Sequence, residues 1–360
     1  MSKINKNTQK KLILIPILLF IIMVISFIII FIYSLSPVDK KNENIINFTV
    51  EQGWGKNKII TELKKKDLIR SELFSKIIIK FKNKELYAGT YKLSKDLSTN
   101  EILNKISNQE NIENESVKIT FVEGKRLATY VSQISQNFNY SEEEINNKLS
   151  DKEYLNKLID KYWFITEDIF NESIYVPLEG YLYPDTYEFK KNSTLDEIIE
   201  KFLNNMASKL EDYKDDIEIG KYTIHEYLTL ASIVELEGVN SADRGNVAGV
   251  FYNRLNSGMS LGSDVTTYYA VGKDFSKELS QKDLNSCNAY NTRGTCVSGL
   301  PIGPICSPSL SSISASIEPI ENEYFYFVAD KEKNTYFSKN GAEHSKTVAK
   351  LKSEGKWFTY

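Results

Sequence analysis

Two carboxylates stand among apolar side chains in Tyr227-Leu-Thr-Leu-Ala-Ser-Ile-Val-Glu235-Leu-Glu237-Gly238. Because apolar residues occupy almost every side, the run predicts a helix that is buried nearly all round. Burying an unpaired ionised carboxylate is costly, and such a group usually stays protonated. A protonated carboxyl group that is shielded from water in the wall of a cleft can act as a general acid. A salt-bridged glutamate at a helix end is the alternative, and the run leaves both interpretations open.

Local signals mark both ends of this helix. Thr223 and Glu226 have the spacing of a capping box, and Gly238 suits the position after the last helical residue. Glu235 is therefore expected in the last turn. At 100° per residue, Glu235 and Glu237 lie about 200° apart and cannot face the same cleft. Periodicity does not choose between them.

The distribution of charge limits the class of partner. The chain has 360 residues, enough for a sizeable core and roughly two domains. Its formal charge is −3, but residues 1–11 carry four lysines and no acid, which leaves −7 for the remainder. Binding to phosphate backbones requires clustered Lys and Arg, so this acidic remainder argues against nucleic acid as a partner.

An apolar run over residues 12–32 is interrupted only by Pro16 and Ser26. A helix of this length spans about 30 Å, the thickness of the hydrocarbon core of a bilayer. The lysines before it predict a cytoplasmic N-terminus, with everything after it outside the membrane. A cleaved signal peptide is the alternative, but residues 33–37 make a poor small-x-small cleavage site. We therefore predict an uncleaved, single-pass anchor.

The rest of the chain mixes strand and helix patterns, which predicts an α+β fold. Strands are predicted at 45–50 and 88–91, and a hairpin is predicted with strands at 324–329 and 335–338. Helices are predicted at 57–66, 72–80, 98–106, 195–210, 224–237, 244–255 and 309–317, the last with Ser307 as N-cap and Pro308 at its first position. The expected organisation is a cytoplasmic tail (1–11), a transmembrane helix (12–33), a linker (34–44), a small αβ module (45–115) and a mixed α/β domain (116–360).

Three cysteines lie close together in the sequence. Outside the membrane a disulfide is permitted, and Cys287 with Cys296 would close the loop 288–295. Loop-closure entropy gives such a bond about 2–3 kcal/mol of stabilisation. Cys306 is expected to be a small buried apolar residue.

Other patterns do not predict a catalytic or cofactor site. The G-x-S-x-G pattern at 258–262 follows a predicted helix, whereas a nucleophile elbow requires a strand before it. His225 and His344 are far apart and lack metal-ligand spacing. Neither a C-x-x-C pair nor a nucleotide-binding glycine motif is present in the sequence. We therefore predict no metal site and no nucleotide cofactor.

A second dense segment covers residues 178–189 and is rich in tyrosine. Aromatic faces can stack on sugar rings while neighbouring Asp, Glu and Thr side chains bind hydroxyl groups. The alternative is a β-turn at Pro184 and Asp185 within a tyrosine-rich sheet. The segment alone leaves both interpretations open.

Four sequence blocks follow one another along the chain. They are Glu179-Gly-Tyr-Leu-Tyr-Pro-Asp-Thr-Tyr187; Leu230-Ala-Ser-Ile-Val-Glu235-Leu-Glu237; Val247-Ala-Gly-Val-Phe-Tyr-Asn-Arg-Leu255 with Gly258-Met-Ser-Leu-Gly-Ser-Asp-Val-Thr266; and Ala289-Tyr-Asn-Thr292 with Gly299-Leu-Pro-Ile-Gly-Pro-Ile305. In this order and spacing, the blocks resemble the MltG-like (YceG-like) endolytic murein transglycosylases of bacteria. The resemblance covers roughly residues 45–350. It implies a single-pass anchor in a bacterial cell membrane, a LysM-like module at 45–115 and a catalytic domain outside the membrane.

The resemblance also assigns roles to individual residues. The family's catalytic glutamate matches Glu235. Residues expected in the cleft wall are Glu179, Tyr183, Asp185, Asp264, Thr266, Tyr290 and Asn291, for which ordinary turn and capping chemistry is the alternative. The sequence departs from the family pattern at Leu236 and Gly238, and in the loop 293–298, which is longer than expected and contains a cysteine.

The activity implied by the resemblance needs one carboxyl group and no cofactor or metal. Glu235 would protonate the glycosidic oxygen of the MurNAc-GlcNAc β-1,4 bond and then accept the proton of the muramic C6 hydroxyl, which closes a 1,6-anhydro ring. The implied partners are peptidoglycan glycan strands, the membrane and peptidoglycan synthases. Two alternatives stay open. One is a hydrolase with Asp185 or Asp264 as second carboxylate, and the other is a wall-binding protein without activity.

Overall fold

The computed structural model of this chain describes residues 6–82, 84–112, 116–237 and 240–357, with the side chains of 6–16 excepted. The chain divides into two compact units, Met1–Glu115 and Ser116–Tyr360. Elements of both classes are present, as the α+β prediction requires. Residues 1–5 of the predicted cytoplasmic tail lie outside the described residues, as does Gly238, the expected residue after the helix end.

The first unit begins with helix α1, Lys6–Leu35. It extends beyond the predicted span of 12–33 at both ends, because the flanking lysines and the short polar segment after Ile32 continue the helix. Among the described residues, one segment is long and apolar enough to cross a membrane, and it is Ile17–Leu35.

A small module follows α1. Its elements are β1 (Ile46–Val50), α2 (Lys56–Lys65), α3 (Glu72–Lys82), β2 (Gly89–Leu93) and α4 (Thr99–Ile106). β1 and β2 pair antiparallel, with Ile46 opposite Leu93. Alternate strand residues, such as Phe48 and Tyr91, point into an apolar core that the helices cover. The predicted strands and helices of this region are confirmed to within a few residues, including the capping box of Ser98 on α4.

The second unit contains the remaining elements. They are β3 (Ser116–Thr120), α5 (Leu127–Asn137), α6 (Glu142–Ser150), α7 (Lys152–Lys161), β4 (Thr186–Lys190), α8 (Leu195–Leu210), α9 (Lys214–Ile219), α10 (Ile224–Glu237), α11 (Arg244–Asn256), α12 (Asp264–Ala270), α13 (Gln281–Leu284), α14 (Leu310–Ile317), β5 (Tyr326–Ala329), β6 (Thr335–Ser338) and α15 (Gly341–Ser353). β3 pairs antiparallel with β4, and β5 with β6.

Helix α10 connects the two apolar cores of this unit. One core surrounds β3, β4 and α8, with Phe121 and Phe202 in edge-to-face contact. The other core lies between α10, α11 and α14. Residues 224–235 are all buried except Glu226, which confirms the prediction of a helix buried nearly all round. Thr223 and Glu226 also form the predicted reciprocal cap.

The predicted start of the 309–317 helix is wrong. Its N-cap is Ser309, whose side chain accepts from the Ser312 N–H group, and not Ser307. Ser307 pairs instead through its backbone with the Gly124–Lys125 segment. Proline is compatible with a segment outside a helix as well as with a first helical turn, and here Pro308 precedes the N-cap Ser309.

Candidate active site

Glu235 lies where the end of α10 meets the start of α14. Its Oε2 atom accepts hydrogen bonds from the Ser309 N–H group at 2.9 Å, from Ser309 Oγ at 2.6 Å and from Ser312 Oγ at 2.8 Å. The positive end of the α14 dipole faces this oxygen and favours a negative charge there. The first turn of α14 is therefore a cradle for one oxygen of the Glu235 carboxylate.

The other oxygen of Glu235 faces Arg244, the first residue of α11. The Arg244 Nη2 atom lies 2.7 Å from Oε1 in an ion pair whose side chains are 13% and 5% exposed. Nη1 donates to Ser309 Oγ at 2.6 Å and to Ser311 Oγ. The buried Nε of Arg244 has no hydrogen-bond partner among the described residues. The guanidinium group therefore joins the end of α10 to the starts of α11 and α14.

This pairing decides between the two interpretations of the apolar run. The unpaired, dry carboxyl group is not what the structure shows, because Glu235 sits in a salt bridge at a helix end. All four contacts donate toward its two oxygens. A periodic pattern along α10 does not reveal that the chain turns back and brings Arg244 against it.

A loop and a tyrosine lie close to Glu235. At Gly124, where φ is +71°, an added Cβ would lie 3.7 Å from Glu235 Cγ. Burial raises the pKa of Tyr183, and the nearby carboxylates of Asp185, Glu123 and Glu235 raise it further. Tyr183 therefore lies within electrostatic range of Glu235.

Asp185 is exposed and forms a turn. Its carboxylate accepts from the Thr186 N–H group at 2.7 Å and from Asn205 Nδ2 at 3.0 Å. Its backbone carbonyl accepts from the Phe121 N–H group. The side chain is thus accessible beside β4 while its backbone extends the β3–β4 pairing.

Glu179 is buried at the start of α5. It accepts from the Leu127 N–H group at 2.8 Å and from the Tyr269 hydroxyl at 3.2 Å. Burial raises its pKa to about 7, against the lowering effect of these donors and of Arg126. Tyr290 packs its ring against Tyr269 at 4.8 Å between centroids. These residues pack in the interior of the unit. Glu179 accepts from the Leu127 N–H group, which has no partner within α5 because it lies in the first turn.

The second glutamate of the run faces elsewhere. Ser263 Oγ donates to Glu237 at 2.6 Å, and burial raises the pKa of Glu237, with Asp264 adding to the effect. Asp264 forms a half-exposed ion pair with Arg293 at 2.6 Å. The separation of the two glutamates, predicted from helical geometry, is confirmed by these different partners.

Two predicted wall residues are completely buried. Thr266 Oγ1 donates to the Ser263 carbonyl at 2.7 Å. The Asn291 amide lies within 3.3 Å of the carbonyls of Asp283, Leu284 and Ser286, and its oxygen accepts from Thr267. These buried side chains therefore stabilise the conformation of the 283–296 loop by hydrogen bonds.

The disulfide that the cysteine spacing permits is present, and it closes this loop. Cys287 and Cys296 are bonded, with their Cα atoms 5.3 Å apart. Cys306 is a free, buried thiol, as expected, and burial raises its pKa well above the usual value. Within the described ranges, no cluster of His, Cys, Asp and Glu is arranged to hold a metal ion. The ring of His225 contacts the Tyr181 hydroxyl and the Ile302 carbonyl instead.

Sequence reasoning missed the partners of Glu235. Arg244 was treated only as the start of a helix, and the serines of Ser307-Pro-Ser-Leu-Ser-Ser312 only as capping residues. A helix N-terminus rich in hydroxyl groups is a ready anion site, and this signal could have found Ser309 and Ser312. The sequence contains no comparable signal for Arg244.

Comparisons with known proteins agree with the family resemblance. The sequence model of the YceG-like family matches residues 48–350. An endolytic murein transglycosylase of Bacillus subtilis is 34% identical over 88% of this chain and 87% of its own length. An enzyme of the same name from Streptococcus pneumoniae (strain D39) is 32% identical over 88% of this chain, which spans 60% of that longer protein. The crystal structure of a YceG-like protein from Listeria monocytogenes covers 84% of this chain at 32% identity, with a TM-score of 0.60. The chain belongs to the YceG-like family.

Proposed function

We propose that this chain is an endolytic peptidoglycan transglycosylase that cuts the MurNAc-GlcNAc β-1,4 bond within glycan strands and leaves 1,6-anhydro-MurNAc ends. Family membership and the shared name of its curated relatives support the class of enzyme. The observation that carries the proposal is Glu235, a nearly buried carboxylate held between the ends of three helices.

The proposed reaction uses Glu235 twice. Protonated Glu235 gives its proton to the glycosidic oxygen as the bond from that oxygen to muramic C1 breaks. The muramic C6 oxygen then bonds to C1, and its proton passes to the Glu235 carboxylate. Glu235 ends the cycle protonated again, and water is not consumed. Because the nucleophile belongs to the same sugar, a second protein carboxylate is not required.

The contacts of Glu235 suggest which oxygen handles the proton. Oε2 has three donors from α14, whereas Oε1 has Arg244 alone. The hydroxyl group of a protonated Oε1 cannot donate to a guanidinium group, which only donates, and its oxygen is a weaker acceptor than a carboxylate oxygen. Protonation in the acid step therefore weakens the contact between Arg244 and Oε1, and the contacts of Arg244 with Ser309 and Ser311 hold it nearby. We assign Arg244 as the positioning residue for the base step.

The remaining predicted site residues divide by exposure. Tyr183, Asp185 and Asp264 are proposed to face the glycan, since they share the environment of Glu235 or are accessible. Glu179, Thr266, Tyr290 and Asn291 are buried and are proposed to support the wall from behind.

Two further parts complete the proposal. We propose α1 as a single-pass anchor with a cytoplasmic N-terminus, supported by its apolar segment and by the lysines that precede it. We propose the module of β1, α2, α3, β2 and α4 as a LysM-like glycan-binding unit, supported by its separate core. This arrangement would hold the enzyme near newly made strands and the synthases that make them.

The test compares three variants of the full chain on purified peptidoglycan. Glu235→Gln should form no anhydro-ended product, but it also leaves Arg244 unpaired. The double variant Glu235→Gln with Arg244→Gln removes both charges, so a folded and inactive double variant assigns the loss to chemistry. Glu226→Gln, the same substitution at the exposed start of α10, keeps a side chain that can cap the helix and should keep activity. Product formation by a folded double variant would remove Glu235 from its role.

A further inference from the structure

Helix α3 has a second apolar face that the module core does not use. Ser75 and Ile79 point into the core. Leu73, Phe74, Ile77 and Phe81 share another side of the helix by their spacing. Leu73 is 65% exposed and Phe81 is 86% exposed. Large apolar side chains grouped on one face indicate an interaction surface.

Helix α1 lies against this face. The ring of Phe74 contacts Phe31 edge-on at 5.3 Å between centroids and Phe27 at 6.0 Å. A groove of about 440 Å³ remains between the two helices, and its lining atoms are apolar. The groove is lined by Phe27, Phe31, Ile77, Ile78, Phe81 and Lys82.

Arg70 fixes this arrangement at the end of α1. Its Nε donates to the Pro37 carbonyl at 2.8 Å, and its Nη2 donates to the Val38 carbonyl at 2.7 Å. Its guanidinium group also lies over the Tyr33 ring, 4.7 Å from the centroid. The module is therefore joined to the last turn of α1 by polar contacts as well as by the apolar face of α3.

The position along α1 of its contact with α3 determines how deep that contact lies in a bilayer. At 1.5 Å per residue, Phe31 lies about 6 Å and Phe27 about 12 Å before the helix end at Leu35. Once the apolar segment of α1 crosses a bilayer, both rings lie below the headgroups. The face of α3 that packs on them then reaches the depth of about 5–10 Å at which interfacial helices insert.

We propose that α3 is an interfacial membrane helix and that lipid acyl chains of the outer leaflet cover its apolar face and fill the groove beside α1. This inference rests on the proposed role of α1 as a membrane anchor. Continuity with α1 at this depth selects lipid as the occupant. Lys80 is exposed at the C-terminal end of α3, where a long basic side chain can reach lipid phosphates while its stem stays in apolar surroundings.

The test places one fluorescent label at each of three positions in the full chain, reconstituted in phosphatidylethanolamine–phosphatidylglycerol vesicles. The native cysteines are either bonded or buried. Phe81→Cys reports on the face of α3, and Met23→Cys on the middle of α1. Asn47→Cys is the control, since Asn47 is exposed on the strand face opposite the core residue Phe48. Lipids brominated in their acyl chains quench labels that contact the hydrocarbon.

Labels at Phe81 and Met23 should lose most of their fluorescence in brominated vesicles, and the label at Asn47 should lose little. Quenching at Met23 with none at Phe81 would leave the anchor standing and overturn this inference. No quenching at Met23 would overturn the anchor and the inference together. Energy transfer between Phe81 labels on different chains, without quenching by lipid, would identify a second copy as the occupant and would also overturn it.

Discussion

Breaking the Glu235–Arg244 pair should destabilise the second unit strongly. Their side chains are only 5% and 13% exposed, and Nη2 lies 2.7 Å from Oε1. Removing one partner leaves the other charge buried without its ion pair, which costs about 3–5 kcal/mol for a fully buried pair. Because a little solvent reaches both groups, we expect about 3 kcal/mol for either Glu235→Gln or Arg244→Gln.

The double variant Glu235→Gln with Arg244→Gln measures the interaction energy of the pair apart from the other contacts of the two side chains. It leaves no unpaired charge, so its loss of stability should be smaller than the sum of the two single losses by about 2 kcal/mol. The assay is urea unfolding of the full chain in detergent, followed by near-ultraviolet circular dichroism of its aromatic side chains, among them Trp163, whose ring contacts Phe164 in the second unit.

A surface ion pair of the same unit provides the control. Asp264 and Arg293 are 51% and 44% exposed, so the cycle of Asp264→Asn and Arg293→Gln should give a coupling below about 1 kcal/mol. If the losses at Glu235 and Arg244 simply add, the two side chains do not stabilise one another and the positioning role of Arg244 is refuted.

Other contacts predict measurable effects on the free energy of unfolding. Burial raises the pKa of Glu179 from 4.5 to about 7, so its protonated form stabilises the fold below pH 4.5, and this contribution of about 3 kcal/mol is lost as pH rises through 7. Glu179→Gln should flatten the pH profile, and a wild-type profile already flat over this range would contradict the assignment. Removing the disulfide with Cys287→Ser and Cys296→Ser should lower the free energy of unfolding by about 2–3 kcal/mol. An unchanged urea midpoint would contradict a stabilising role for this bond. Gly180→Ala should lower the melting temperature more than Gly258→Ala, because both have positive φ but only at Gly180 would an added Cβ lie 2.4 Å from a proline carbon. Equal shifts would show that backbone conformation alone sets the cost.

Local patterns predicted the elements because their signals are local. Helix α10 follows from its long apolar run and from the Thr223–Glu226 cap, and both signals lie within a few residues of it. Three neighbouring cysteines allow three pairings, and the sequence alone left open whether any of them forms; the structure shows the bond between Cys287 and Cys296. The start of α14 was mispredicted because Ser307 and Ser309 both suit an N-cap, and only the backbone pairing of Ser307 with a distant loop decides between them.

The chemistry of the candidate site was only partly predictable. Glu235 stood out as a carboxylate in an apolar run, but its serine donors lie 74 and 77 residues further along the chain. Whether Glu235 has an ion-pair partner depends on how α11 and α14 pack against α10. The distances between these helices cannot be read from a single sequence. The same applies to Asn291, whose residue type suits a sugar ligand but whose amide is used inside its own loop.

The most direct test of the proposed reaction is the mass of the new sugar ends released from purified peptidoglycan in heavy-oxygen water. Attack by the muramic C6 hydroxyl predicts ends that are lighter by one water than reducing ends and that carry no heavy oxygen. New reducing ends in place of anhydro ends would show that water is the nucleophile; heavy oxygen in them alone would not, because the C1 hydroxyl of a reducing sugar exchanges with solvent. That result would contradict the single-glutamate mechanism and favour a two-carboxylate hydrolase that uses Asp185 or Asp264.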